Sequence, residues 1–145
     1  MELGSTTLDR EWARINKQLR DNERIWSGFR QIEVRMIGAR SFPELIRIIT
    51  EGIPETFPGI DCVTVACADP EYEMTRLIED GAGPGVGSQK FIALPRPVLD
   101  EMFTRPWRPR LGPVDEHLHS LLFLEHPCAT GSVAVAPLVR RGELI

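Results

Sequence analysis

Apolar residues step along the first quarter of the chain in alternating intervals of four and three. Leu8, Trp12, Ile15, Leu19, Asn22, Trp26 and Phe29 recur about every 3.5 residues, with Met36 one heptad after Phe29. Charged side chains from Asp9 to Arg24 fill the positions between them. The spacing predicts a helix from about Thr7 to Gly38 carrying a coiled-coil seam, interrupted once by Asn22. A lone helix of this kind leaves Trp and Leu side chains in water, so the expectation is a homodimer with Leu8, Trp12, Ile15, Leu19, Asn22, Trp26 and Phe29 at its interface. The pattern leaves parallel and antiparallel pairing open. Asn22 costs stability in such a seam and is a candidate for fixing register and a two-stranded state. Towards the end of the helix Ile25, Phe29, Ile32, Met36 and Ile37 form a wider stripe, while Glu33 takes a seam position. A handover is expected there: the upstream half pairs with a second copy, and the downstream half also packs on its own domain.

Residues 1–38 therefore read as a dimerisation helix and residues 39–145 as a globular domain. Ser41-Phe42-Pro43-Glu44 has the form of a capping box opening a helix. Phe42, Leu45, Ile46, Ile49 and Ile53 then line one helical face, which Pro58-Gly59 ends. Ile60 to Cys67 is rich in β-branched residues and predicts a strand with both faces buried. Asp69-Pro70 starts a short helix to about Glu79, followed by a glycine-rich loop from Gly81 to Ser88. Strands are expected at Phe91–Leu94, Arg110–Val114 and Gly131–Val139, and helical turns at Pro97–Phe103 and Asp115–Phe123. Arg140 to Glu143 reads as a turn, and Leu144-Ile145 as the start of a return strand. A strand of two residues makes an unusual domain end, so the chain is expected to be a fragment lacking a closing strand and helix.

The stretch G-S-V-A-V-A-P-L-V-R-R-G-E-L-I, Gly131 to Ile145, resembles the hairpin of GAF domains, in which S-x-A-x-x-P-L precedes G-x-L-x-L. The S-F-P-E-L opening and the I-D-C-V-T-V strand also resemble GAF counterparts. The chain is most similar to a bacterial GAF-like family of unknown function whose members occur alone or ahead of GGDEF diguanylate cyclases. The resemblance implies an α+β fold: a GAF/PAS-like antiparallel sheet with helices packed on one face and a long N-terminal coiled-coil helix. It also implies a sensory or regulatory module of a signal-transduction protein, acting on an output such as a diguanylate cyclase. No GGDEF motif is present in these residues, so cyclase chemistry is not expected in this chain.

With 17 basic and 21 acidic residues, for a formal charge of −4, the chain lacks the basic balance expected of a nucleic-acid binder. No apolar run is long enough for a membrane span, and the start has no signal-peptide character, so a cytoplasmic protein is expected. Cys62, Cys67 and Cys128 have no CxxC spacing and read as reduced thiols. A thiol redox enzyme on the GAF fold is one alternative function; a dimerisation scaffold without ligand is another.

No catalytic or metal-ligating set is expected. His117 and His119, two apart on a helix, point to different sides. The glycine-rich stretch lacks the G-K-[ST] ending of a phosphate loop. The candidate ligand pocket is the apolar series Phe91, Ile92, Leu94, Val98, Met102, Phe103, Trp107 and Leu111, with Arg96 as a group to orient an anion. Arg105, Arg108 and Arg110 are further candidates for that role. The sequence names no particular cofactor, and the expected ligand class is a small molecule.

Overall fold

The computed structural model describes residues 3–82, 90–103, 105–124 and 131–145. Helix α1 (Leu3–Ile37) is about 50 Å long at 1.5 Å per residue. Every side chain from Thr7 to Arg20 is exposed. Further along, one face is covered. Gly28 lets the helix approach closely, since a Cβ there would lie 2.9 Å from the Phe57 ring and 3.0 Å from Thr56. Arg35 lies over Gly52 and pairs with Glu55 at 3.8 Å. Between these two contacts Ile32 is 5% exposed. Ile37, expected in the same stripe, is 86% exposed: it sits five residues, or about 500°, beyond Ile32 and so points well away from the docked side.

The second helical stretch is nearly continuous. It comprises α2 (Phe42–Arg47), a wide π turn (Ile48–Gly52) and α3 (Ile53–Thr56). The Glu44 amide donates to Ser41 Oγ at 3.2 Å, and Glu44 reaches back to the Arg40 amide at 2.8 Å, one residue earlier than a standard capping box. The π turn precedes Pro54, whose ring would crowd the Thr50 carbonyl in a regular α-helix. Thr56 Oγ1 donates to the Gly52 carbonyl at 2.7 Å.

Strand β1 (Val65–Cys67) leads through α4 (Glu73–Ala82) to β2 (Phe91–Ala93). The two strands pair in parallel, Val65 with Phe91 and Cys67 with Ala93. This differs from the all-antiparallel sheet expected from the sequence. The intervening helix returns the chain to the end where β1 began, so β2 runs the same way. The ladder is shorter than the Ile60–Cys67 expectation because β2 offers only three positions to pair.

Alternate residues of this pair face two cores. Phe91, Val65 and Cys67 pack with Ile46, Phe42, Ile78 and Met74 from α2 and α4. Ile92 and Ala66 face the other way, towards α5 (Arg96–Met102), Phe103, Leu122 and Leu144. Two antiparallel ladders complete that side. β3 (Arg110–Pro113) pairs with β4 (Ser132–Val135), and β5 (Val139–Arg140) with β6 (Glu143–Leu144). The β5–β6 turn places Arg141 at φ 54° and Gly142 at φ 82°, the two left-handed positions of a type I′ hairpin.

The strands thus form three two-stranded ladders among the described residues, and the architecture is mixed helix and small sheets. Helix α6 is confined to Glu116–His119, shorter than the Asp115–Phe123 expectation. An i→i+3 bond from the Leu122 amide to the His119 carbonyl, at 3.0 Å, tightens and ends it. Leu122 is buried and Leu121 exposed. No helix among the described residues is long and apolar enough to cross a membrane.

Ile78 is 2% exposed at the α2–α4–β2 junction, whereas its neighbour Leu77 is 53% exposed. Ile78→Ala is expected to cost about 2–5 kcal/mol in denaturant unfolding, against roughly 0.5 or less for Leu77→Ala.

Candidate functional site

Two surfaces are candidates for function. The first is the seam of α1. Leu8, Trp12, Ile15, Leu19, Trp26 and Phe29 are 42–70% exposed, and Asn22 is exposed among them. The face of α1 that docks on its own domain, Gly28, Ile32 and Arg35, trails the continuation of the seam at Phe29, Glu33 and Met36 by one residue. One residue is about 100° of helix rotation, so docking leaves the seam uncovered. Phe29 stands at the boundary: its ring is 5.0 Å from Phe57 and 6.4 Å from Trp26.

The second surface is a partly open cleft of about 190 Å³ beside the β3–β4 ladder. Met102, Leu122, Val133 and Val135 supply its apolar wall, and Arg110, Asp115 and His119 its polar part. The ring of His119 is fixed, because its Nδ1 accepts the Asp115 amide at 2.8 Å. Asp115 Oδ1 in turn accepts the His117 amide at 2.9 Å.

Little of the expected pocket series lies in this cleft. Met102 and Leu111 line it, with Leu111 82% exposed. Ile92, Leu94, Met102 and Phe103 are buried together in one core, with Val98 and Trp107 packed against it. Phe91 belongs to the other core, because successive residues of β2 face opposite ways. Arg96 is held within the domain: its Nη1 donates to the Leu144 carbonyl at 2.6 Å and its Nε to Asp100 at 3.0 Å, with Glu143 at 3.9 Å. Arg105 also pairs with Glu143, at 3.3 Å, and lies over the Trp107 ring. These two arginines fasten the β5–β6 hairpin to its neighbours. Arg110 alone of the candidate cations reaches the cleft lining. Gly112, Val133 and Val135 were missed; their cross-strand pairing, which gathers them, has no local mark in the sequence.

Among the described residues no cluster of three or more His, Cys, Asp or Glu side chains is placed to hold a metal. Cys128 and His126 lie outside the described residues, as does the glycine-rich stretch beyond Ala82. Cys62 and Cys67 are half-buried. Burial, and then the negative charge of Asp69, push the Cys67 thiol above its ordinary pKa. That is the reverse of what a reactive thiolate requires.

Asp69 itself, expected to begin a helix, caps α4 from outside. Its carboxylate accepts the Met74 amide at 3.2 Å, the Thr75 amide at 2.9 Å and the Thr75 hydroxyl at 2.8 Å. Burial alone would raise its pKa; the bonds from Thr75, Met74 and Glu73 outweigh that and hold it below the usual carboxylate value.

Compared with protein-family models, curated proteins and solved structures, the chain matches none.

Because the folded-state pKa of Asp69 is lowered, its contribution is present above the unfolded value of about 3.9 and is lost as pH falls through the lower folded value. Thermal melts of Asp69→Asn should therefore lie below wild type at neutral pH and converge with it in acid. A constant gap down to the lowest pH would contradict the assignment.

Proposed function

We propose that the chain is a non-catalytic sensory or regulatory module that works as a homodimer, joined along the α1 seam. The observation that carries this reading is the division of α1 into two faces. One is occupied by the chain's own α3 and π turn; the other presents large apolar residues at coiled-coil spacing to solvent. A second copy is the natural occupant, because a heptad seam is complementary to itself. Fully burying an aromatic side chain removes roughly 150–250 Å², so the exposed parts of the six apolar seam residues offer on the order of 600 Å² per helix. This approaches the ~800 Å² per partner of a stable interface.

Phe29 gives the arrangement a mechanical link, since it touches both the seam and the domain's Phe57. A change in how the domain holds Gly28, Ile32 and Arg35 would turn Phe29 and with it the pitch of the paired helices. The GAF resemblance of Gly131 to Ile145 adds the finer part of the proposal. On that reading the domain is a bacterial, cytoplasmic GAF-like receptor, and the rod transmits its state to an output such as a diguanylate cyclase.

One observation favours a second reading, a dimerisation scaffold without ligand: most of the apolar series around Phe91–Phe103 is close-packed core. For the redox alternative, the raised pKa of Cys67 speaks against that one thiol, and Cys128 lies outside the described residues.

Sedimentation equilibrium tests the dimer. Wild type should sediment as two copies at micromolar concentration. Leu19→Glu places a charge in the seam without touching the domain, and should weaken association by about a hundredfold or more. A wild-type monomer at every accessible concentration would overturn the proposal.

A further inference from the structure

The cleft beside β3–β4 owes its depth to one position. In the ladder Arg110 pairs with Val135 and Gly112 with Val133. Alternation places these four residues on one face of the hairpin, and Gly112 contributes no side chain to it. A Cβ built at Gly112 would meet nothing within 4 Å. The hollow is thus the volume a larger residue would fill, bounded across by Met102 of α5 and by Leu122. At about 190 Å³ it exceeds the roughly 150 Å³ apolar cavity known to accommodate a benzene ring.

The polar part of the lining holds one guanidinium, Arg110, and one carboxylate, Asp115, beside His119. Arg110 lies on the same hairpin face as the hollow and makes no ion pair among the described residues. His119 is half-buried in the lining. Its Nδ1 accepts the Asp115 amide, so the neutral ring carries its proton on Nε2, which is a donor. Asp115 Oδ1 accepts the His117 amide. A guanidinium and an imidazole N–H beside an apolar hollow suit an anionic head on an apolar tail.

We propose that this cleft binds a small monocarboxylate with a branched or aromatic tail, about six to eight non-hydrogen atoms in all. The tail lies over Gly112 against Met102, Leu122 and Val133, and the carboxylate meets Arg110 and His119 Nε2–H. This supplies the input for the sensory reading above and rests on that reading for its physiological meaning. Binding and dimerisation are nevertheless measured separately: a protein that binds but does not dimerise removes the dimer reading, and one that dimerises without binding removes this inference.

The test is a methyl-region NMR titration of the full chain with 4-methylpentanoate. Saturable shifts are expected at the Val133, Leu122 and Met102 methyls, with Kd on the order of 1 mM or tighter for a ligand of this size. The uncharged isostere 4-methylpentanamide should bind about tenfold or more weakly, as should 4-methylpentanoate to Arg110→Met. Gly112→Val should abolish binding without lowering the thermal midpoint, because its added atoms enter empty space. Arg110 is exposed, so its variant reads the carboxylate contact even if Gly112→Val fails to fold. The inference is overturned by the lack of a saturable shift, by equal affinity for the amide, by unchanged affinity in Arg110→Met, or by a folded Gly112→Val that binds like wild type.

Discussion

An α-helix turns about 100° per residue, so two stripes offset by one residue face different directions. In α1 the stripe Gly28, Ile32, Arg35 is taken by Phe57, Thr56, Gly52 and Glu55 of the same chain. The stripe through Trp26 and Phe29 is left to solvent. Gly28 is what allows the first contact to be so close, and that closeness holds the helix at one rotation about its axis. The direction in which Trp12, Leu19 and Trp26 point is therefore set by packing further along the helix. An isolated helix in water is only marginally stable, and the upstream half of α1 has no cover from its own domain. A second copy along the seam would supply it.

Behind this contact the domain is organised around a short parallel strand pair with a core on each side. Phe91 and Ile92 are adjacent in sequence yet belong to different cores, so β2 ties the α2–α4 side to the α5 side. Asp69 secures the start of α4 just after β1, and Arg96 secures β6 to α5 through the Leu144 carbonyl. These two charged side chains are committed to structural partners.

The parts legible in the sequence are those set by local pattern. The 3.5-residue spacing of α1, the Ser41 cap, the strand at Phe91 and the Arg141-Gly142 turn depend on neighbours a few positions apart, and each stands where that pattern puts it. Parallel pairing of β1 with β2 was not legible, because it follows from where α4 delivers the chain. The expected pocket went astray for a related reason. An apolar run marks core and cavity alike, and only packing decides which; Ile92, Leu94 and Phe103 became core. The cleft that does exist is made by a missing side chain at Gly112 opposite Val133, a juxtaposition across twenty residues of chain.

The central claim is that one helix serves two neighbours at once. Residue-resolved amide hydrogen exchange across a dilution series tests it most directly. The account predicts that amides between Leu8 and Trp26 lose protection as the protein is diluted, while those from Gly28 to Met36 stay protected by their own domain. Protection that is uniform along α1 and indifferent to concentration would contradict it.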